Sequence, residues 1–233
     1  MVNLEKRSPQ KELLDADNIP FEDIKVCMKE LNSVNTLLGG HAITLKGLGT
    51  FISKDTRELH VCEIGCGGGD NLHAVFEKFN TKGISLRFTG IDLKKECTRF
   101  AAEQYPVLNA QWLTDDYSNV SFNEKPGIIF SSLFCHHFSD DQLVDMLRWM
   151  QRNSSNGFFI NDLQRNPVAY YLIKWLTAFF SRSYLVKNDA CISVARSFRK
   201  KDWENIFKRA GIKNYSIRWH WAFRYLIICR NEH

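Results

Sequence analysis

Apolar positions recur at three- and four-residue steps through residues 20–38. Phe21, Ile24, Met28, Leu31, Val34, Leu37 and Leu38 line one face there, which predicts an amphipathic helix. Pro20 can open that helix and the pair Gly39-Gly40 stops it. A shorter helix is expected over 9–17 and a further helical piece over 41–52. From residue 59 the pattern changes to short apolar runs separated by helical segments. LHVCEIG, SLRFTGIDL, NAQWLTDD, GIIFSSLF and GFFINDL read as strands; DNLHAVFEKF, KKECTRFAAEQY and DDQLVDMLRWMQRN read as helices. Strands alternating with helices of this length predict βαβ units and a parallel sheet. A continuous apolar run such as GIIF fits a sheet covered on both faces.

After Leu163 the alternation breaks. Residues 165–197 are expected to hold the apolar helix VAYYLIKWLTAFF followed by a polar loop. RKKDWENIFKRAG then reads as a helix closed by Gly211, and NYSIRWHW and FRYLIICR as two strands. Their very short connection requires an antiparallel hairpin at the end of the sheet.

The chain has 233 residues, 44% hydrophobic and 24% charged, which excludes a disordered, collagen-like or coiled-coil chain. No apolar run reaches the roughly 20 residues a bilayer span needs. The most apolar stretch, Val168 to Phe180, is interrupted by Lys174. The first residues, MVNLEKRSPQKELLDAD, lack the apolar centre of a secretory signal, so a cytoplasmic location is expected. Seven scattered cysteines without a C-x-x-C pair predict reduced thiols, with neither disulfides nor a metal site. Residues 181–233 carry 12 basic against 4 acidic residues, but never in a run of five, so a solvated face is the expected reading.

The most informative stretch is Val61-Cys62-Glu63-Ile64-Gly65-Cys66-Gly67-Gly68-Gly69-Asp70, which leaves a strand and enters a helix. Glycines there let the backbone take positive φ and approach a ligand closely. A dinucleotide fingerprint, G-x-G-x-x-G, would place its third glycine at Asp70 or Leu72. An aspartate beside phosphates speaks against a nicotinamide-dependent oxidoreductase. The spacing that fits is G-x-G-x-G: Gly65, Gly67 and Gly69.

E-x-G-x-G-x-G at the end of a first strand resembles the first motif of the class I S-adenosylmethionine-dependent methyltransferases. Further landmarks follow in order: Gly90-Ile91-Asp92-Leu93 after strand two, Thr114-Asp115-Asp116 after strand three, and Ser131 to Phe138 after strand four. Asn161-Asp162-Leu163 after strand five is similar to a bacterial subgroup acting on small phenolic or polyketide-like molecules. The resemblance implies an α/β Rossmann-like methyltransferase fold with a mostly parallel seven-stranded sheet, a C-terminal antiparallel hairpin and helices on both faces. It implies one domain over 1–233: an N-terminal helical cap (1–54), a cofactor-binding core (55–163), a helical lid insertion after strand five (164–198), and a C-terminal helix and hairpin (199–233). The implied cofactor is S-adenosylmethionine (SAM), released as S-adenosylhomocysteine (SAH). Its implied contacts are Glu63, Gly65, Cys66, Gly67, Gly69, Asp92 for the ribose hydroxyls, Leu93, Asp115 or Asp116 for adenine, Ser131 and Leu133.

A phenolic acceptor must lose a proton, and histidine suits that task. His136 and His137 follow strand four at the edge where ligands bind this kind of sheet, so they are the candidate catalytic base. The same pair could instead orient the loop before a helix capped by Ser139 and Asp140. Asn161 and Asp162 are candidate acceptor ligands, with Arg165 nearby. Tyr171 and Trp175, one turn apart, are expected to close over a flat ring while Val168, Leu172 and Leu176 pack on the core. His41 and His73 read as surface or helix residues. An aromatic cover points to an apolar or aromatic small molecule; packing of the insertion, or a membrane-interface helix flanked by Lys174, Arg182 and Lys187, are the other readings. The D-P-P-Y or N-P-P-Y motif of amino methyltransferases is absent after strand four, which turns the reading away from nucleic acid. The function expected is methyl transfer to a small aromatic, phenolic or polyketide-like acceptor at oxygen, with carbon methylation of a quinone ring or a non-catalytic cofactor- or partner-binding domain as alternatives.

Overall fold

The computed structural model describes residues 2–16 and 18–232. Among these residues seven strands, β1 Glu58–Ile64, β2 Ser85–Asp92, β3 Gln111–Thr114, β4 Ile128–Ser132, β5 Gly157–Leu163, β6 Tyr215–His220 and β7 Arg224–Arg230, build one sheet. Their order is β3-β2-β1-β4-β5-β7-β6. β1 to β5 pair in parallel, while β7 runs antiparallel to both β5 and β6. The expected parallel sheet with a hairpin edge is what forms. The strand order reverses between β1 and β4, and ligands bind sheets of this kind outside the carboxyl ends of the strands at such a point.

Among the described residues, eight helices surround the sheet: α1 Phe21–Leu37, α2 Gly40–Gly49, α3 Asp70–Phe79, α4 Lys95–Gln104, α5 Asp140–Asn153, α6 Pro167–Phe180, α7 Tyr184–Arg196 and α8 Lys200–Ala210. The period of two along the strands divides the core. Cys62, Ile64, Ile129, Phe158 and Ile160 join Leu143, Leu147, Trp203 and Phe207 of α5 and α8 on one face. Leu59, Val61, Ile128, Phe130 and Phe159 join Ile43, Leu48, Leu72 and Val75 of α2 and α3 on the other. Burial on both faces is why these strands read as continuous apolar runs. A third cluster lies above the carboxyl edge, where Ile24, Cys27 and Met28 of α1 meet Cys97 and Phe100 of α4 and Leu185 and Val186 of α7.

Three expectations are corrected. The helix over 9–17 is replaced by a single 3₁₀ turn, Leu13–Asp15, within a strap that carries the chain across the molecule; residue 17 lies outside the described residues. The polar loop after the apolar helix is instead α7, capped by Ser183, with Leu185, Val186, Asp189, Ile192 and Val194 buried. On α6 the buried side chains are Ala169 and Thr177, whereas Val168 and Leu172 are exposed together with Tyr171 and Trp175. The helix is apolar around much of its circumference, so its sequence did not say which side faces inward.

Among the described residues, no helix is long and apolar enough to cross a membrane.

Candidate functional site

Parallel register sets Glu63 beside Gly90 and Ile64 beside Ile91, so β1 and β2 end together and the loops that follow them touch. Gly65, Gly67 and Gly69 all have positive φ, at 66°, 50° and 78°. That conformation strains residues with a side chain, which is why the loop alternates glycine. The Cys66 N–H donates to the Ile91 carbonyl at 3.0 Å and so ties the loop to β2. Asp92 completes the tie: its Oδ2 accepts from the Gly67 N–H and its Oδ1 from the Lys94 N–H, each at 2.9 Å. Burial raises the Asp92 pKa, and the bonds from Lys94 and Gly67 work against that rise. Each Asp92 oxygen retains a further lone pair for a hydroxyl.

Glu63 stands behind the loop. Asn71 donates to its Oε1 at 3.0 Å, while its Oε2 is buried without a hydrogen-bond partner. Burial, reinforced by the negative charge of Asp70, pushes the Glu63 carboxyl well above the usual range. An orphaned acceptor of this kind fits an ammonium or a water-bridged donor. The space in front of Gly67 is open: a Cβ built there would meet only Met28 Sδ, at 3.5 Å. Gly65 differs, because the ring of Phe134 lies directly on it.

At the end of β3, the Asp115 N–H donates to the Asp92 carbonyl at 3.1 Å. Asp116 instead caps the next turn, its Oδ1 accepting from both the N–H and the hydroxyl of Ser118 at 2.8 Å. Asp115 is tied to β2 through its backbone, while its Oδ1 accepts from the Asp116 N–H at 2.7 Å and Asn119 Nδ2 at 3.0 Å. Leu93 is exposed beside Asp92 and offers a flat apolar face. Two further expected contacts lie at the end of β4. Ser131 is fully buried and pairs with Cys135, its Oγ 3.3 Å from the sulfur, so it does not face the loop. Leu133 turns the chain at the end of β4 with φ of 54°.

The two histidines are brought into a network that the sequence did not reveal. His136 is buried, with Nδ1 2.8 Å from Asp162 Oδ1 and Nε2 3.4 Å from Glu12 Oε1. Burial opposes its charge, but the charge and hydrogen bond of Asp162, followed by those of Glu12, push its pKa up to about 10. Burial would raise the carboxyls of Asp162 and Glu12; the imidazoles hold both below their ordinary values. At neutral pH His136 already carries its proton and cannot accept another. His137 is 21% exposed, with Nδ1 2.9 Å from Asp15 Oδ1 and Nε2 3.7 Å from Glu12 Oε2. The nearest nitrogen and oxygen atoms of Glu12, His136 and His137 lie within 4.8 Å of one another.

Glu12 and Asp15 come from the strap, which is pinned at several points. Asp189 of α7 accepts from the N–H groups of Leu13 and Leu14 at 2.8 and 2.9 Å. Arg196 donates to the carbonyls of His136, His137 and Gln10. Arg165 donates to the carbonyls of Leu4, Glu5 and Ser197 and pairs with Asp202 at 3.0 Å. Arg165 is therefore a strut for the strap rather than an acceptor ligand. In sequence the strap residues are an ordinary acidic pair, and nothing local links them to His136-His137.

Asn161 and Asp162 sit at the carboxyl end of β5 as expected, but both are buried and engaged. Asn161 Nδ2 donates to the Gly40 carbonyl and the hydroxyls of Thr44 and Ser132. Among the described residues Asn161 Oδ1 and Asp162 Oδ2 have no hydrogen-bond partner, nor do Nε and Nη1 of Arg224, which opens β7 beside them. Arg224 is buried, its Nη2 donates to Asn35 Oδ1 at 3.0 Å, and burial lowers its pKa to about 10. His41 holds Asp70 at 2.7 Å, and His73 stacks on Tyr105. Tyr171 and Trp175, on the outer side of α6, face solvent rather than closing over the loop edge.

Residues 61–157 match the family model described as a methyltransferase domain. No curated protein sequence matches the chain. Among solved structures, it is similar to the plantazolicin methyltransferase BpumL in complex with a triazolic desmethylPZN analog and SAH. That pair has a TM-score of 0.68 and 14% identity, over 89% of this chain and 90% of that one. It is also similar to an O-methyltransferase family 2 protein from Planctomyces limnophilus in complex with apigenin. There the TM-score is 0.64 and the identity 14%, over 93% of this chain and 62% of that one. Identities this low speak to the fold.

Proposed function

We propose that this chain, whose residues 61–157 match a methyltransferase domain, is a class I S-adenosylmethionine-dependent methyltransferase that methylates a small aromatic, phenolic or polyketide-like molecule at oxygen. The observation that carries the reading is the Gly67–Asp92 bond, which places an acid with spare lone pairs beside an open glycine loop at the strand-order reversal. In this reading Asp92 takes the ribose hydroxyls, Leu93 and Asp115 the adenine, and Glu63 Oε2, through water, the ammonium of the amino-acid tail. Gly65, Cys66, Gly67 and Gly69 shape the loop. When bound, SAM supplies an electrophilic methyl on a sulfonium; it has no phosphate, so Glu63, Asp70 and Asp92 are tolerated around it.

The acceptor is assigned to the carboxyl edge of the sheet beside His137. His137 takes the acceptor's proton, because His136 is already charged and enclosed. Asp15 receives the Nδ1–H of His137 and leaves Nε2 as the basic nitrogen, the arrangement by which a carboxylate selects a histidine tautomer. Glu12 and Asp162 hold His136 as a fixed positive charge behind it, which favours a developing phenolate. The unpaired atoms of Asn161, Asp162 and Arg224 make the neighbouring edge polar and suit an oxygenated ring better than a plain hydrocarbon. The similar structures crystallised with apigenin and with a desmethylPZN analog support this class of acceptor. A screen of phenols, quinones and polyketide lactones, read by SAH release, tests the proposal; SAM binding without turnover of any phenol would count against oxygen methylation.

A further inference from the structure

The outer face of α6 is an apolar stripe that nothing among the described residues covers. At 100° per residue, Val168, Tyr171, Leu172, Trp175 and Phe179 fall within about 100° of arc. All five are exposed, Trp175 at 63% and Phe179 at 72%, and Phe180 beyond them reaches 82%. The rings of Trp175 and Phe179 stack at 5.9 Å, so they present one continuous surface. Exposed apolar area of this extent on one helix marks an interaction surface.

A second aromatic element stands beside the start of this helix. Trp219 Nε1 donates to Gln164 Oε1 at 2.9 Å, and the Gln164 N–H donates to the Phe223 carbonyl at 2.7 Å. The tip of the β6–β7 hairpin, with Trp219 and Trp221 both exposed, therefore adjoins α6. Charge is one-sided around both elements. No acidic residue occurs between Asp162 and Asp189, nor between Glu204 and Glu232. Lys174, Arg182, Lys187 and Arg218 are exposed there. The nearest acids on α1 are already engaged: Glu30 accepts from Ser181, Arg182 and Ser183, and Asp23 from Tyr184.

We propose that α6 and the hairpin tip form a docking surface for an anionic lipid membrane. Tryptophan and phenylalanine seat at the headgroup boundary, and the surrounding lysines and arginines are drawn to acidic headgroups. A second copy of the chain fits less well, because a two-fold contact through this face would bring the same cations against one another. Docking here would let the enzyme collect an apolar acceptor from the bilayer.

The test is co-sedimentation of the full chain with phosphatidylcholine vesicles, with and without phosphatidylglycerol. The expected result is binding to the anionic vesicles that weakens with added salt. The double variant Trp175→Ser/Phe179→Ser should reduce that binding by about tenfold or more, with SAM affinity and melting temperature unchanged. The proposal is overturned if the wild type stays in the supernatant with both vesicles, or if the variant sediments like the wild type. It is equally overturned if the wild type is a dimer in light scattering and the variant a monomer, since the face would then be a protein interface. Vesicle binding is read without turnover, so its failure leaves the assigned reaction untouched.

Discussion

Glu12, on the N-terminal strap, meets His136, at the end of β4, with 3.4 Å between Oε1 and Nε2 and both side chains buried. This contact closes the strap over the carboxyl edge of the sheet and, with Asp162 on the opposite nitrogen, encloses a charged imidazole between two carboxylates.

Stability should therefore depend on pH in a defined direction. The folded pKa of His136, about 10, lies above its ordinary 6.5. Its contribution is complete below pH 6.5 and is lost as pH rises through about 10. Glu12 and Asp162 are held below 4.5 and 3.8, so their share is present above those values and lost as pH falls through the depressed ones. The cluster stabilises most between about pH 5 and 6.5. Urea denaturation from pH 6 to 10 should show falling stability in the wild type. Asp162→Asn should lose about 3–5 kcal/mol at pH 6 and show a flatter profile. A wild-type stability that climbs across this range would contradict the arrangement.

Asp92→Ala should weaken SAM binding by about 1.5–3 kcal/mol, the scale of hydrogen bonds to a charged group, or roughly ten- to hundredfold. Part of that loss belongs to the loop, since Asp92 also holds the Gly67 and Lys94 N–H groups. Asp92→Asn keeps one acceptor for the loop and separates the two contributions. Isothermal calorimetry on the folded variants reads both; undiminished affinity in Asp92→Ala would remove this residue from the ribose assignment.

Two loop glycines should fail in different ways. A Cβ at Gly65 would lie 2.2 Å from the Phe134 ring, whereas one at Gly67 enters open space. Gly65→Ala should cost on the order of 2–4 kcal/mol of stability, from positive φ and the clash together. Gly67→Ala should cost only about 1–2 kcal/mol yet bind SAM at least tenfold more weakly, because the methyl occupies the cofactor's side of the loop. Melting curves paired with SAM titrations would expose the reverse pattern if the faces are misassigned.

His137→Gln should lower kcat by about 10²–10⁴-fold without changing SAM affinity, and the deficit should shrink at high pH, where a phenol ionises unaided. Asp15→Asn should give a smaller loss in kcat with little change in KM, as expected of a residue that orients the base. Full activity in His137→Gln across the pH range would mean that the acceptor needs no base.

The order of strands and helices from residue 58 onward, α7 apart, could be read from the chain, as could the hairpin edge and the glycine loop. Each rests on local causes: period-two burial, helix periods closed by capping residues, and positive φ where only glycine is unstrained. The carboxyl ends of β1 and β2 were legible for the same reason, and Asp92 with them. The strap was not legible, because Glu12 and Asp15 acquire their meaning only when Asp189, Arg165 and Arg196 draw that segment across His136 and His137. Nor could the chain say which side of α6 faces the core: Ala169, Ile173 and Leu176 are as apolar as much of the opposite stripe, so hydrophobic burial alone leaves the rotation of the helix open. Packing against α7 decided it, and turned Tyr171 and Trp175 outward. Local period and backbone strain determined the sheet and its loop; contacts between segments far apart in the chain decided which side chains meet at its edge.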